Sequence, residues 1–235
     1  MGFLKRILRN NANEEETGSV LTPGSFEALS EEELQAHMGI DSYGAFDLTD
    51  AIRPSYDLQV VPRQGFRFDE YVDESNHTRT PVIMAAATRH RIMDLFLDLI
   101  DNLGPVVDVV LETSHHFAVN HHELYREHID VPVLKSILLD HEELLLNDGC
   151  TGVAVINPAR RQEVQLDEHK LLIVYGRPLE QFEQTLIDSD VYPDNEIKFI
   201  TEAEHVHSSS EAYFDRFNTL KHHLGMDGEG SAGCC

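Results

Sequence analysis

The chain has 235 residues, 41% of them hydrophobic, enough to bury one large domain or two closely joined small ones. Its 18 basic and 42 acidic side chains leave a formal net charge of -24, a field that repels phosphate backbones and argues against nucleic-acid binding. No apolar run reaches the roughly 20 residues that span a bilayer. No secretory pattern precedes the fold, and the three cysteines make no disulfide framework. The expected setting is therefore cytoplasmic and reducing.

Residues 1–23 read as a flexible N-terminal segment that includes a short basic amphipathic helix, "GFLKRILR". Residues 2–9 could dock on an acidic body or touch an anionic membrane peripherally. "LSEEELQAHMG" then reads as a helix capped by Ser30, with Glu33 reciprocating and Gly39 stopping it. The stretch 41–53 keeps no period. "YDLQVV" and "FRFDEYV" read as strands, followed by the apolar strand "VIMAAA" and a helix with Ile92, Leu95, Phe96, Leu99 and Leu103 on one face. Thr88 is placed to cap that helix, and Arg89 at its start could receive an anionic group.

"PVVDVVLE" supplies another strand, with Asp108 interrupting an otherwise buried pattern. Five histidines follow within residues 114–128: His115, His116, His121, His122 and His128. His115 and His116 fall at a strand's carboxyl end, a common ligand rim in open parallel sheets. If residues 121–128 are helical, His121 and His128 share a face and make an alternative metal pair. A leucine-rich helix, "TGVAVIN", an excursion through "PARRQEVQLDEH", and "KLLIVYG" come next, with Arg177 just beyond as a second anion candidate. Pro178 suits a first helical turn. "EIKFITE" reads as a strand, then Ser208 and Glu211 as a capping box for the final helix.

His205 and His207 alternate on an extended segment, so both rings point to one side. With His115 or His116 brought alongside, they would make a three-imidazole, zinc-like centre with room for water. No HExxH, paired CxxC, P-loop or GxGxxG accompanies them.

The pattern implies an α/β or α+β fold: a layered mixed sheet with covering helices, built from two related ββαβα halves. The halves are residues 24–148 and 149–225, the second packed on the first, with 226–235 a disordered tail. Function divides into two readings. One is a noncatalytic interaction or regulatory domain that takes a protein partner, with no resident cofactor expected and homo-oligomerisation open. The other is a metal-assisted hydrolase, using a divalent metal such as zinc at the histidines and acting on a small anionic substrate.

Overall fold

Ser30 opens the first helix, α1 (Glu31–Met38). Its hydroxyl accepts the Glu33 backbone N–H at 3.3 Å, and the Glu33 carboxylate accepts the Ser30 N–H at 2.9 Å. Gly39 ends it, as the sequence suggests. The fold is that of a computed structural model, which describes residues 25–26, 29–73, 78–115 and 122–227. The amphipathic segment 2–9, His116, His121, Cys234 and Cys235 lie outside the described residues.

Three short strands follow α1: β1 (Ser42–Tyr43), β2 (Phe46–Asp47) and β3 (Ile52–Pro54). The main body then runs β4 (Gly65–Asp73), β5 (Thr78–Ala86), α2 (Arg89–Asp101), β6 (Val106–Thr113), β7 (His122–Asp130), α3 (Val131–Asp140) and α4 (Glu142–Asn147). It continues through β8 (Thr151–Asn157), β9 (Gln162–Leu166), β10 (Leu172–Tyr175), α5 (Glu180–Asp188), β11 (His205–His207) and α6 (Glu211–His223). Strands β4 to β10 form one seven-stranded sheet in the order β4-β5-β10-β9-β8-β6-β7, while β11 pairs with β3. Strands from 151–175 lie between β5 and β6, so residues 24–148 and 149–225 contribute to a shared sheet. The packed chain continues through Met226, which is buried.

Every ladder of the seven-stranded sheet is antiparallel, where the sequence suggested a mixed one. Period-2 alternation sorts its two faces. Val109, Leu111, Val155, Val164 and Val174 join Phe96 and Leu99 of α2, Leu138 of α3, Phe182 of α5 and Phe217 of α6 in the larger core. Each of these large side chains contributes about 1.5–3 kcal/mol by leaving water. On the opposite face Val82, Ile173 and Tyr175 pack with Ile197 and Phe199.

Several local expectations are corrected. "YDLQVV" is a turn and irregular chain, because Leu58 takes φ 50° and Pro62 follows. "EIKFITE" is also irregular and ends in a 3-10 turn at Ile200–Glu202, with Ile197 and Phe199 used as apolar plugs. Residues 122–130 are strand, which removes the helical face proposed for His121 and His128. Ser210, not Ser208, caps α6 by accepting the Tyr213 N–H. Thr88 stands at the start of α2 but its hydroxyl accepts the Asp47 N–H instead, at 2.9 Å.

Asp108 now has a structural reason. Between Val107 and Val109 the β6–β7 register shifts, leaving His128 at φ 56° in a bulge. Asp108 accepts the His128 N–H at 2.9 Å and the Tyr125 hydroxyl at 3.0 Å. Burial, then the Asp108 carboxylate, pushes the Tyr125 phenol up to about 12. Replacing Asp108 with Ala strands both donors and should cost about 1–3 kcal/mol in urea unfolding.

A second prediction concerns acid. His141 Nε2 lies 2.9 Å from His223 Nδ1; burial and the neighbouring imidazole hold the His141 pKa below its ordinary value. The unfolded chain therefore takes up the proton first, and stability falls as pH drops through about 6.5. The thermal midpoint should decline over that range, and His141→Gln should flatten the decline.

Candidate metal centre

Antiparallel order gathers the polar chemistry at one end of the sheet. Thr113 at the close of β6 pairs with Thr151 at the start of β8, and Val153 pairs with Leu166 at the close of β9. Leu172 at the start of β10 pairs with Leu166 and with Ala85 near the close of β5. The connections 114–115, 148–150 and 167–171 consequently emerge side by side. Arg177 follows the other terminus of β10 and lies at the far end of the sheet, exposed.

The turn 167–171 is built by Asp167. Its Oδ1 accepts the His169 and Leu171 backbone N–H groups at 3.0 and 2.8 Å, and its Oδ2 lies 2.9 Å from His169 Nδ1. Lys170 completes the turn at φ 63° and donates Nζ to the Thr151 carbonyl at 2.8 Å. Burial lowers the Lys170 ammonium to about 8, against the pull of Asp148 and Asp167.

Against this turn stands β11. His205 Nδ1 lies 2.8 Å from the Ala203 carbonyl, and His207 Nδ1 lies 2.6 Å from the Gly149 carbonyl. The rings of His169, His205 and His207 have centroids 4.8–5.1 Å apart. One ligand atom from each lies within 4.8 Å of the others, and all three residues are half-buried. Nδ1–H donation to an oxygen fixes the tautomer and leaves Nε2 as the coordinating nitrogen, an arrangement common among metal-bound histidines. Burial holds His205 below its ordinary pKa, with the other two imidazoles adding to the effect, which favours the neutral, ligating form.

His115 joins a different group. Its ligand atom, one from Asp148 and the Cys150 thiol lie within 4.8 Å of one another. Phe214 and Phe217 of α6 cover the His115 ring at centroid distances of 5.2 and 5.8 Å. Burial raises the Asp148 pKa, but the polar groups of His115, Ser209 and Thr151 outweigh it and hold the carboxyl below its usual range. Burial pushes the Cys150 thiol up, opposed by the Ser114 and Ser209 hydroxyls. Such histidine and aspartate donors can coordinate a divalent metal such as zinc.

The two groups meet at residue 149. The Gly149 N–H donates to the Ser208 carbonyl at 2.8 Å, and a Cβ there would lie 2.3 Å from the Ala51 oxygen and 2.9 Å from the Ser208 oxygen. Only glycine fits between those strands.

Other sequence candidates are placed apart. His128 is exposed on β7 beside Glu127, 3.9 Å away. Arg89 pairs with Asp50 at 3.3 Å and Arg91 with Asp190 at 3.2 Å, so carboxylates of the protein itself occupy the cations at the start of α2. Sequence reasoning missed His169; the available signal was aspartate two residues before histidine in a short inter-strand turn. Cys150 likewise gains its neighbour His115 only through the fold.

A shallow cleft, open to solvent, adjoins His169 and is lined by Phe46, Leu48, Ile52, Phe199 and Lys198. Among the described residues no helix is long and apolar enough to cross a membrane. No family model, curated protein or solved structure matches the chain.

Gly149→Ala should push β11 away from the sheet end. The expected outcome is a lower thermal midpoint together with weaker zinc binding, read by differential scanning fluorimetry and competition with a chromogenic chelator.

Proposed function

We propose that His169, His205 and His207 hold a zinc-like divalent ion and that the protein uses it for metal-assisted hydrolysis of a small substrate carrying an anionic group. The observation that carries this reading is the convergence of three half-exposed imidazoles, each anchored through Nδ1 by an oxygen. Three protein ligands leave tetrahedral zinc one position for water, the pattern of catalytic rather than structural sites. A metal in such a site lowers the pKa of its bound water to about 7 and polarises an adjacent carbonyl or phosphoryl oxygen.

The remaining contributions come from the chain. Asp167, Ala203 and Gly149 orient the ligands. The cleft beside His169 supplies an apolar wall, and Lys198, which has no ion pair among the described residues, supplies a cation for the anionic group. This assignment replaces Arg89 and Arg177 as anion receivers. The noncatalytic reading draws on composition and chain ends; the metal reading draws on a specific arrangement of side chains.

Protein purified without a polyhistidine tag should contain metal, and the His169→Asn, His205→Asn, His207→Asn triple variant should lose the equivalent bound at this site. Asp167→Asn should weaken affinity by about 10- to 100-fold. Zinc-loaded protein should hydrolyse chromogenic phosphate or carboxylate esters, and the triple variant should not. Unchanged metal content in the triple variant, or no turnover of any such ester by zinc-loaded protein, would overturn the proposal.

A further inference from the structure

The tri-histidine reading leaves His115, Asp148 and Cys150 without a task. His115 is 4% exposed, yet its Nε2 makes no hydrogen bond among the described residues. It lies 3.2 Å from Asp148 Oδ2, a contact that helps hold the Asp148 carboxyl below its usual range. The ring nitrogen is thus buried with a carboxylate beside it and no well-formed hydrogen bond, the arrangement of a prospective ligand pair.

Its surroundings have the makings of a coordination sphere. Nδ1 faces the Thr113 hydroxyl, which fixes the ring and, in the ligating tautomer, accepts Nδ1–H. The Thr151 hydroxyl donates to Asp148 Oδ2, and the Cys150 N–H donates to Oδ1 at 3.4 Å. The imidazole and the carboxylate are thus each oriented by a second group, as metal ligands generally are. Imidazole, carboxylate and thiol within 4.8 Å form a mixed set, and the thiol selects for thiophilic ions.

We propose that His115 Nε2, Asp148 and Cys150 Sγ form a second metal site, distinct from the tri-histidine centre, that takes zinc or another thiophilic divalent ion. Binding replaces the Cys150 S–H bond with a metal–sulfur bond and releases that proton to solvent. Asp148 and His115 are almost wholly enclosed, so the position left open on a tetrahedral ion is closed to substrate from their side and the ion acts on the fold. Anchoring residues 148 and 150 on one ion fixes the intervening Gly149 carbonyl, on which His207 rests.

Cobalt(II) titration tests the site independently of any hydrolytic activity, because only thiolate ligation gives an intense near-ultraviolet sulfur-to-cobalt band. A tag-free Cys234→Ser, Cys235→Ser protein keeps Cys150 as its one thiol and should show the band, with about two equivalents of cobalt bound. Adding Cys150→Ser should abolish the band and remove one equivalent. His115→Gln should weaken the cobalt affinity that the band reports at least tenfold. The His169→Asn, His205→Asn, His207→Asn triple change on the same background should leave the band intact. Circular dichroism establishes that each variant is folded, and a misfolded Cys150→Ser variant is replaced by Cys150→Ala. Absence of the band in the Cys150-only protein, or its survival once Cys150 is removed, would overturn the second site whatever the fate of the first.

Discussion

The close approach of backbone at Gly149 is the constraint on which the functional end of the molecule depends. A side chain there would collide with two carbonyl oxygens, one from Ala51 and one from Ser208. The contact fastens the small β3–β11 ladder to the loop leading into the large sheet, because Ser208 N–H also donates to the Ala51 carbonyl at 2.8 Å. Two histidines 36 or more positions beyond His169 in sequence come to face it through this junction. Remove the approach, and the imidazoles separate.

Electrostatics at this end run against the protein as a whole. A net charge of -24 draws divalent cations toward the surface and repels anions. An anionic substrate therefore needs local compensation, which the bound ion and Lys198 would provide within a partly apolar cleft. The buried Lys170 ammonium serves a different purpose: it ties the 167–171 turn to the start of β8 through the Thr151 carbonyl. Cations are scarce here, with 18 in the whole chain, and several are committed to neighbouring carboxylates, as Arg89 and Arg91 illustrate.

Much of the scaffold was legible from periodicity and caps. Ser30, Glu33 and Gly39 delimit α1 because capping is a local interaction, and the apolar stripe of α2 faces the core because one helical face must. "VIMAAA", "PVVDVVLE" and "TGVAVIN" fall in strands for the same reason. "EIKFITE" failed because Ile197 and Phe199 plug a sheet face from irregular chain as readily as from a strand, and "YDLQVV" because Leu58 turns the backbone. The site was half legible. Alternation along an extended segment brought His205 and His207 to one side. His169 escaped because the pairing of β9 with β10 creates its position, and long-range register is not written in any one window. Asp108 shows the reverse case, where an apparent anomaly in a strand marks a bulge in its partner.

That bulge has a consequence for how molecules of this protein meet. An outermost strand with regular, unsatisfied amides invites another chain to add to it, and β7 is outermost. Its left-handed kink at His128, preceded by Arg126 and Glu127, breaks the regular spacing a newcomer would have to match. At the other margin, the Phe66 end of β4 is engaged by residues 192–194, through Phe66 N–H to the Tyr192 carbonyl and Asp194 N–H to the Phe66 carbonyl. Each margin thus carries a local feature that interrupts a regular, open edge.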